Sequence, residues 1–253
     1  MRFFDRPLQE IHTNKKGKLS DKWEIFFKVY DREFQNIRHE KIKMLEIGIQ
    51  NGGSLDTWSK YFKKAQLIVG CDINPKCGNL TYSDKRIKVI VGDATTPETA
   101  AQIYDLSPQY DVIIDDGSHV SKDIIDAFFQ FFPRLKPGGI FCVEDTHTLY
   151  WREFGGGLSN PDNAKEFFKD LSDIINHEHW RNEPTISQHL AHRIEGRNTD
   201  FIEAGWVDSV SFYNSLIVIR KSDRSGHDKL GRRLIAGETS AVDNEPARLR
   251  EKS

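Results

Sequence analysis

Two short segments of this sequence concentrate carboxylates: Asp115-Asp116-Gly117-Ser118-His119 and Val143-Glu144-Asp145-Thr146-His147. Brought to one point without a counter-charge, such acids repel each other and their pKa values rise. A divalent hard cation removes the conflict, because Mg²⁺, Mn²⁺ and Ca²⁺ take oxygen ligands. Asp116, Glu144 and Asp145 are therefore candidate metal ligands, provided that the two segments converge. The competing reading is that Asp116 or Ser118 caps the helix that follows, and that Glu144-Asp145 lies in a solvated loop. A metal held there would lower the pKa of a hydroxyl bound to it. His119, three residues after Asp116, is the candidate general base for that proton.

A second set of residues points to a nucleotide-like cofactor. Glu46-Ile47-Gly48 leads into Gly52-Gly53-Ser54, and the glycines allow a tight turn before a helix whose free N–H groups face a ligand. The Gly48-to-Gly52 spacing departs from the G-x-G-x-x-G of dinucleotide sites. Asp72, 24 residues after Gly48, is placed to accept from ribose hydroxyls, and Asp93 in Gly-Asp-Ala to reach an adenine edge. With Asp115 at the end of the next apolar run, the cofactor set reads Glu46, Gly48, Gly52, Ser54, Asp72, Asp93 and Asp115.

These residues converge only if the chain places them at one sheet edge. Apolar runs at 42–49, 66–73, 87–94, 110–117 and 138–145 read as strands, and the segments 54–62, 97–106 and 121–135 as helices. The runs are near-continuous rather than alternating, as in a parallel sheet covered on both faces. Strand–helix alternation predicts a doubly wound α/β fold, in which ligands sit beyond the carboxyl ends of the strands. Phe128, Phe129, Phe131 and Phe132 read as the core side of a helix. Residues 163–180 read as another helix, and 207–221 as two strands turning near Tyr213-Asn214.

Towards the ends the patterns weaken. Residues 1–19 are basic and expected to be irregular; Ser20-Asp21 then offers an N-cap to a helix carrying Trp23, Phe26, Phe27, Tyr30 and Phe34 on one face. Residues 146–165, with Gly155-Gly156-Gly157, are expected to form a mobile loop, and Tyr150-Trp151 either a sugar-stacking platform or packing against a helix. His189 or His192 is a further candidate for the acceptor pocket; with His177 and His179 they lack a zinc spacing. The division expected is a helical extension or lid at 1–41, a catalytic domain at 42–221 and a charged, disordered tail at 222–253.

LEIGIQNGGSL, IIDDGSH, KPGGIFCVEDTHTLYW and VSFYNSLIVIRK together resemble the macrocin O-methyltransferase-like family of class I S-adenosylmethionine-dependent methyltransferases, to which cephalosporin hydroxylase-type proteins are related. SDKW at 20–23 is similar to that family's T-D-K segment before the first strand. The resemblance covers about residues 42–220. It implies a Rossmann-like seven-stranded, mostly parallel sheet with helices on both faces and a C-terminal antiparallel hairpin. It also implies S-adenosylmethionine and Mg²⁺ or another divalent cation as cofactors. Asp116, Glu144 and Asp145 match the family's metal ligands, His119 its base, and Glu46, Gly48, Asp72 and Asp93 its cofactor positions. The implied activity is methylation of a sugar hydroxyl on a glycoside natural product or surface polysaccharide. The alternatives are a hydroxylase or oxidoreductase on the same scaffold, or a methyltransferase of a catechol-like diol.

Composition narrows the partners. Of 253 residues, 36 are Lys or Arg and 38 are Asp or Glu, a formal net charge of −2, which gives no electrostatic reason to expect nucleic acid. No apolar run approaches the roughly 20 residues that span a bilayer. The start lacks an apolar core followed by a cleavage site. The three cysteines, Cys71, Cys77 and Cys142, read as reduced thiols, so a cytoplasmic enzyme for a small-molecule or saccharide acceptor is expected, with a homo-oligomer left open.

Overall fold

Runs such as Met44–Ile47 and Val112–Asp115 are buried on both faces, and they form the inside of a seven-stranded sheet. The structure is a computed structural model and describes residues 5–181, 184–191, 193–194, 196–239, 241–242 and 245. The strands are β1 (Lys43–Ile47), β2 (Leu67–Asp72), β3 (Ile87–Val91), β4 (Tyr110–Asp115), β5 (Leu135–Val143), β6 (Val207–Tyr213) and β7 (Leu216–Lys221). Their order is β3-β2-β1-β4-β5-β7-β6. Strands β1 to β5 pair in parallel, and β7 pairs antiparallel with both β5 and β6. The Rossmann-like sheet with its C-terminal antiparallel hairpin is thus as expected. The order reverses between β1 and β4, the switch point at which such sheets leave a crevice.

The helices are α1 (Leu8–Thr13), α2 (Glu24–Phe34), α3 (Gly53–Tyr61), α4 (Pro97–Leu106), α5 (Ser121–Phe131), α6 (Ala164–Ile175), α7 (Ile186–His189) and α8 (Asp200–Glu203). Phe26, Tyr30 and Phe34 of α2 pack with Trp58 on one face of the sheet, over Met44, Ile68 and Val112. On the other face Phe128 and Phe131 of α5 pack with Phe167 and Phe168 of α6, over Leu45, Val69 and Phe141. Burying an aromatic side chain of this size contributes about 1.5–3 kcal/mol, so each layer is held firmly to the sheet.

The ends depart from the sequence reading in four places. Residues 1–19 are not irregular throughout: Leu8 and Ile11 are buried, and the Asp31 carboxylate accepts the Leu8 N–H at 3.0 Å, which starts α1. Ser20-Asp21 does not cap α2; the helix starts after Trp23 with no side-chain cap, because Lys22 is drawn out of it towards buried carboxylates. Residues 146–165 are not a featureless loop. They wind into 3₁₀ turns at Thr146–Tyr150 and Arg152–Phe154, and the Gly156 and Gly157 N–H groups donate back to Trp151 and Leu149, both at 2.9 Å. After Lys221 the chain stays attached as far as Leu230, where the Lys229 ammonium donates to the Val207 carbonyl at 2.6 Å and the Leu230 N–H to Glu178 at 2.9 Å. Among the described residues, no helix is long and apolar enough to cross a membrane.

Candidate active site

The carboxyl ends of β1, β2, β3 and β4 border a cavity of about 430 Å³. Gly48, Ser54, Asp72, Asp93, Asp115, Asp116, His119 and Asp145 line it, whereas Glu46, Gly52 and Glu144 do not. Gly48, at φ +82°, follows β1 where the chain passes the end of β4. A Cβ there would lie 1.9 Å from the Asp116 carbonyl oxygen, so only glycine fits. Gly52, at φ +75°, meets Tyr82 rather than the cavity, and its role is to start α3.

The acids at the strand ends are fixed by their own loops. Asp72 Oδ2 accepts from the N–H groups of Ile49 and Gln50 at 2.9 and 2.8 Å, clamping the glycine turn to β2. Asp93 Oδ1 accepts from the Thr95 N–H and hydroxyl at 2.9 and 2.7 Å. The Gly53 N–H at the start of α3, expected to face a ligand, instead donates to the Leu19 carbonyl of the N-terminal arm. Burial raises the Asp115 carboxyl to about 7, and its Oδ2 has no hydrogen-bond partner among the described residues.

The candidate metal residues fall into two groups that share Asp116. Glu46, Asp116 and Glu144 form an inner group, and Asp116, His119 and Asp145 an outer one, the ligand atoms of each lying within 4.8 Å of one another. The structure therefore does not set Asp116, Glu144 and Asp145 around one point, because consecutive residues leaving β5 turn their side chains apart: Glu144 inward, Asp145 to the cavity. Inside the inner group sits a residue that the sequence reading placed on a helix. Lys22 Nζ lies 3.2 Å from Glu46 Oε1, 2.6 Å from Asp116 Oδ2 and 2.9 Å from both oxygens of Glu144. Burial alone would lower its pKa, but the three carboxylates hold it well above the ordinary lysine value. Ser54 donates to Glu46 Oε2 at 2.6 Å and Tyr30 to Glu144 Oε1 at 2.7 Å, which completes the inner set. Glu46 is thus an anchor under the glycine turn rather than a wall of the cavity.

The outer group looks onto the cavity. His119 Nε2 lies 3.7 Å from Asp145 Oδ2, and His147 Nδ1 3.8 Å from Asp145 Oδ1. Asp145 Oδ1 is buried with no hydrogen-bond partner among the described residues. Burial, the leading effect, lowers the His119 pKa despite the Asp145 charge, so the imidazole is neutral at neutral pH and able to accept a proton. His119 and Asp145 both hold left-handed backbone, at φ +58° and +53°, a strain of about 1–3 kcal/mol each that functional sites often store.

Beside the outer group runs an aromatic surface. Trp23 meets the His147 ring edge-on at 6.0 Å, His147 meets Trp151 at 5.0 Å, and Trp151 meets Phe154 at 6.0 Å. Trp23 and Trp151 are 58% and 46% exposed, so this face is open to a ligand. His189 packs on Trp180 and does not line the cavity; His192 lies outside the described residues.

Residues 45–146 match a methyltransferase domain family. The chain is 30% identical over 223 residues to the 8-demethyl-8-alpha-L-rhamnosyl tetracenomycin-C 2'-O-methyltransferase of Streptomyces olivaceus, covering 84% of this chain and 55% of that protein. It is 30% identical over 217 residues to the demethylmacrocin O-methyltransferase of Streptomyces fradiae, covering 75% and 54%. This chain therefore spans about half the length of these curated relatives. Among solved structures, the MycE methyltransferase of the mycinamycin biosynthetic pathway, in complex with Mg, SAH and mycinamycin VI, superposes with a TM-score of 0.70 at 25% identity, over 99% of this chain and 60% of that one.

Proposed function

This chain belongs to the macrocin O-methyltransferase-like family of class I S-adenosylmethionine-dependent methyltransferases, and from that premise we propose that it methylates a sugar hydroxyl of a glycoside, using S-adenosylmethionine and a divalent cation. The observation that carries the reading is the single cavity joining Gly48, Asp72 and Asp93 to Asp116, His119 and Asp145. The first three occupy the strand ends where a nucleoside fits, and the last three those where a hydroxyl would be deprotonated.

The residues present fit both groups. The cavity has Asp72 and Asp93 at neighbouring strand ends, within reach of a ribose and a base. The outer donor set is rich in carboxylate oxygen, as Mg²⁺ requires, and Asp145 Oδ1, buried with no hydrogen-bond partner among the described residues, is available to a cation. Asp116 and Asp145 are the residues that would hold the ion. Glu144 can contribute only lone pairs that Lys22 and Tyr30 leave over. Once bound, the cation supplies Lewis acidity that lowers the pKa of an acceptor hydroxyl.

The chain's own residues do the rest. Asp72, pinned by the amides of Ile49, Gln50 and Asn74, orients the ribose without moving. Neutral His119 takes the hydroxyl proton, and Asp145 beside it stabilises the imidazolium that results. Trp23, His147 and Trp151 offer a flat apolar face to the sugar or its aglycone. Holding hydroxyl and methyl donor in line provides much of the acceleration. The test is transfer of labelled methyl from S-adenosylmethionine to 6-deoxyhexose glycosides, with and without EDTA. Transfer abolished by chelator and restored by Mg²⁺ is expected; full activity in EDTA removes the metal role, transfer to catechols alone replaces the acceptor class, and preferential binding of NAD overturns the cofactor.

A further inference from the structure

Resting on the reading of His119 as the proton acceptor, we infer that Thr148 is a positioning residue: its buried hydroxyl ties the loop after β4 to the loop after β5 and so holds the His119 imidazole beside Asp145.

The two loops leave the sheet together. Asp115 and Val143 are partners in the parallel ladder, and the Glu144 N–H donates to the Asp115 carbonyl at 2.9 Å. Past that bond the two segments diverge, one through residues 116–120 to the start of α5, the other into the 3₁₀ turn that follows Asp145. The Thr148 hydroxyl oxygen bridges them, 3.1 Å from the His119 carbonyl oxygen and 2.8 Å from that of Asp145. A hydroxyl carries one proton, which these two acceptors share. The Thr148 N–H also donates to the Asp145 carbonyl, at 3.0 Å, so the residue is anchored by its own backbone. Thr148 is 3% exposed, and bulk water does not compete for its proton.

The carbonyls it joins belong to two residues of the proposed proton-transfer group. His119 and Asp145 both hold left-handed backbone, at φ +58° and +53°, which such residues keep only where their surroundings fix it. On one side of His119 the loop is fixed by Ser118, whose hydroxyl accepts the Val120 N–H at 3.2 Å and donates to Asp123 Oδ2 at 2.7 Å. On the other side the fixing contact is Thr148. Turning the His119 backbone towards an ordinary φ would swing the imidazole, whose Nε2 lies 3.7 Å from Asp145 Oδ2. Thr148 itself does not line the cavity, so it reaches the reaction only through His119 and Asp145. Branching at Cβ restricts χ1 of threonine and keeps the hydroxyl on its two acceptors.

The test compares Thr148→Val, which keeps the shape and removes the donor, with Thr148→Ser, which keeps the donor, and with His119→Ala. In crystals of Thr148→Val grown without metal, His119 is expected to leave φ +58° and its Nε2 to move by about 1 Å or more from its place beside Asp145; unchanged positions overturn the inference. In the labelled-methyl assay kcat is expected to fall roughly 10- to 100-fold in Thr148→Val, with both KM values unchanged, and to return to near the wild-type value in Thr148→Ser. A rise in KM with kcat kept assigns Thr148 to binding and overturns the inference, as does a Thr148→Ser variant no better than Thr148→Val. Wild-type kcat in Thr148→Val, with kcat lost in His119→Ala, overturns this inference alone. Full kcat in His119→Ala overturns the reading of the base and this inference with it. Should Thr148→Val fail to fold, Thr148→Ala removes the same donor without setting a methyl group against the two carbonyls, and carries the same expectations.

Discussion

The Tyr30 hydroxyl donates a 2.7 Å hydrogen bond to Glu144 Oε1, joining α2 to the residue that follows β5 across 114 positions of sequence. Both side chains are buried, so no water replaces the bond if it is lost. Tyr30→Phe keeps the ring that stacks on Phe34 at 5.0 Å and removes only the donor. A hydrogen bond to a charged group contributes about 1.5–3 kcal/mol, and urea unfolding of Tyr30→Phe should show a loss in that range. Cofactor affinity should be unchanged, because Tyr30 does not line the cavity. An unaltered unfolding midpoint would show that Lys22 alone satisfies Glu144.

How far the sequence reveals this arrangement depends on the range of the contact. Gly48, Asp72, Asp93 and Asp116 were legible because each ends an apolar run, and a parallel sheet brings such ends together. His119 was legible from its place after Asp116. Lys22 was not, because an amphipathic stretch from residue 22 reads as continuous helix, and nothing local reveals three acids 24 to 122 residues away. Its one signal was its place in the SDKW segment. The split between Glu144 and Asp145 was hidden for a different reason. It depends on Asp145 taking left-handed backbone, which residue type alone does not announce. The contact of Trp23 with His147 was not legible because it joins α2's entry to a 3₁₀ turn that carries no periodicity.

Gly48 tests the junction of the two strand ends. Alanine there would carry a Cβ into the Asp116 carbonyl at 1.9 Å and hold a strained positive φ. Either the turn or the end of β4 must shift, and both carry proposed ligand-binding residues. Gly48→Ala should destabilise by about 3 kcal/mol or more and abolish calorimetric binding of S-adenosylmethionine. Normal cofactor binding with wild-type stability would show that the two strand ends are freer than this close approach implies.

Trp151 tests the aromatic face. At 46% exposed it contributes little to the core, so Trp151→Ala should change stability by no more than about 0.5–1 kcal/mol. If the ring stacks on the acceptor, its loss should raise the acceptor KM up to about tenfold, the equivalent of about 1.4 kcal/mol. The turnover number and the KM for S-adenosylmethionine should stay the same. A fall in turnover with KM unchanged would assign Trp151 to the reaction itself rather than to binding.

The pH dependence follows from His119. Burial lowers its pKa below the ordinary 6.5, and only the neutral imidazole can accept a proton. The rate at limiting acceptor should therefore rise with pH through a value below 6.5 and level off above it. His119→Ala should lose about 10²–10⁴ in turnover, and with it this acidic limb, while binding cofactor normally. A limb that persists unchanged in His119→Ala belongs to another group, and Asp116, whose carboxyl burial pushes up from the ordinary range, would be the next to test.

Asp145 separates the charge of the outer group from its backbone. The residue sits at φ +53°, a conformation that asparagine accepts nearly as readily as aspartate. Asp145→Asn should therefore keep the 3₁₀ turn at Thr146–Tyr150 and the Thr148 N–H bond to the Asp145 carbonyl at 3.0 Å. What it removes is the negative charge and one carboxylate oxygen. Losing even an outer partner of a metal ligand typically weakens affinity about 10–100-fold, so Mn²⁺ affinity by calorimetry should fall at least about tenfold. Asp145→Ala loses the charge and also the side chain that favours this backbone, so it should show the same metal defect with an added loss of stability. If Asp145→Asn binds Mn²⁺ as the wild type does, the ion does not rest on Asp145, and the inner group, with Lys22 displaced, becomes its site.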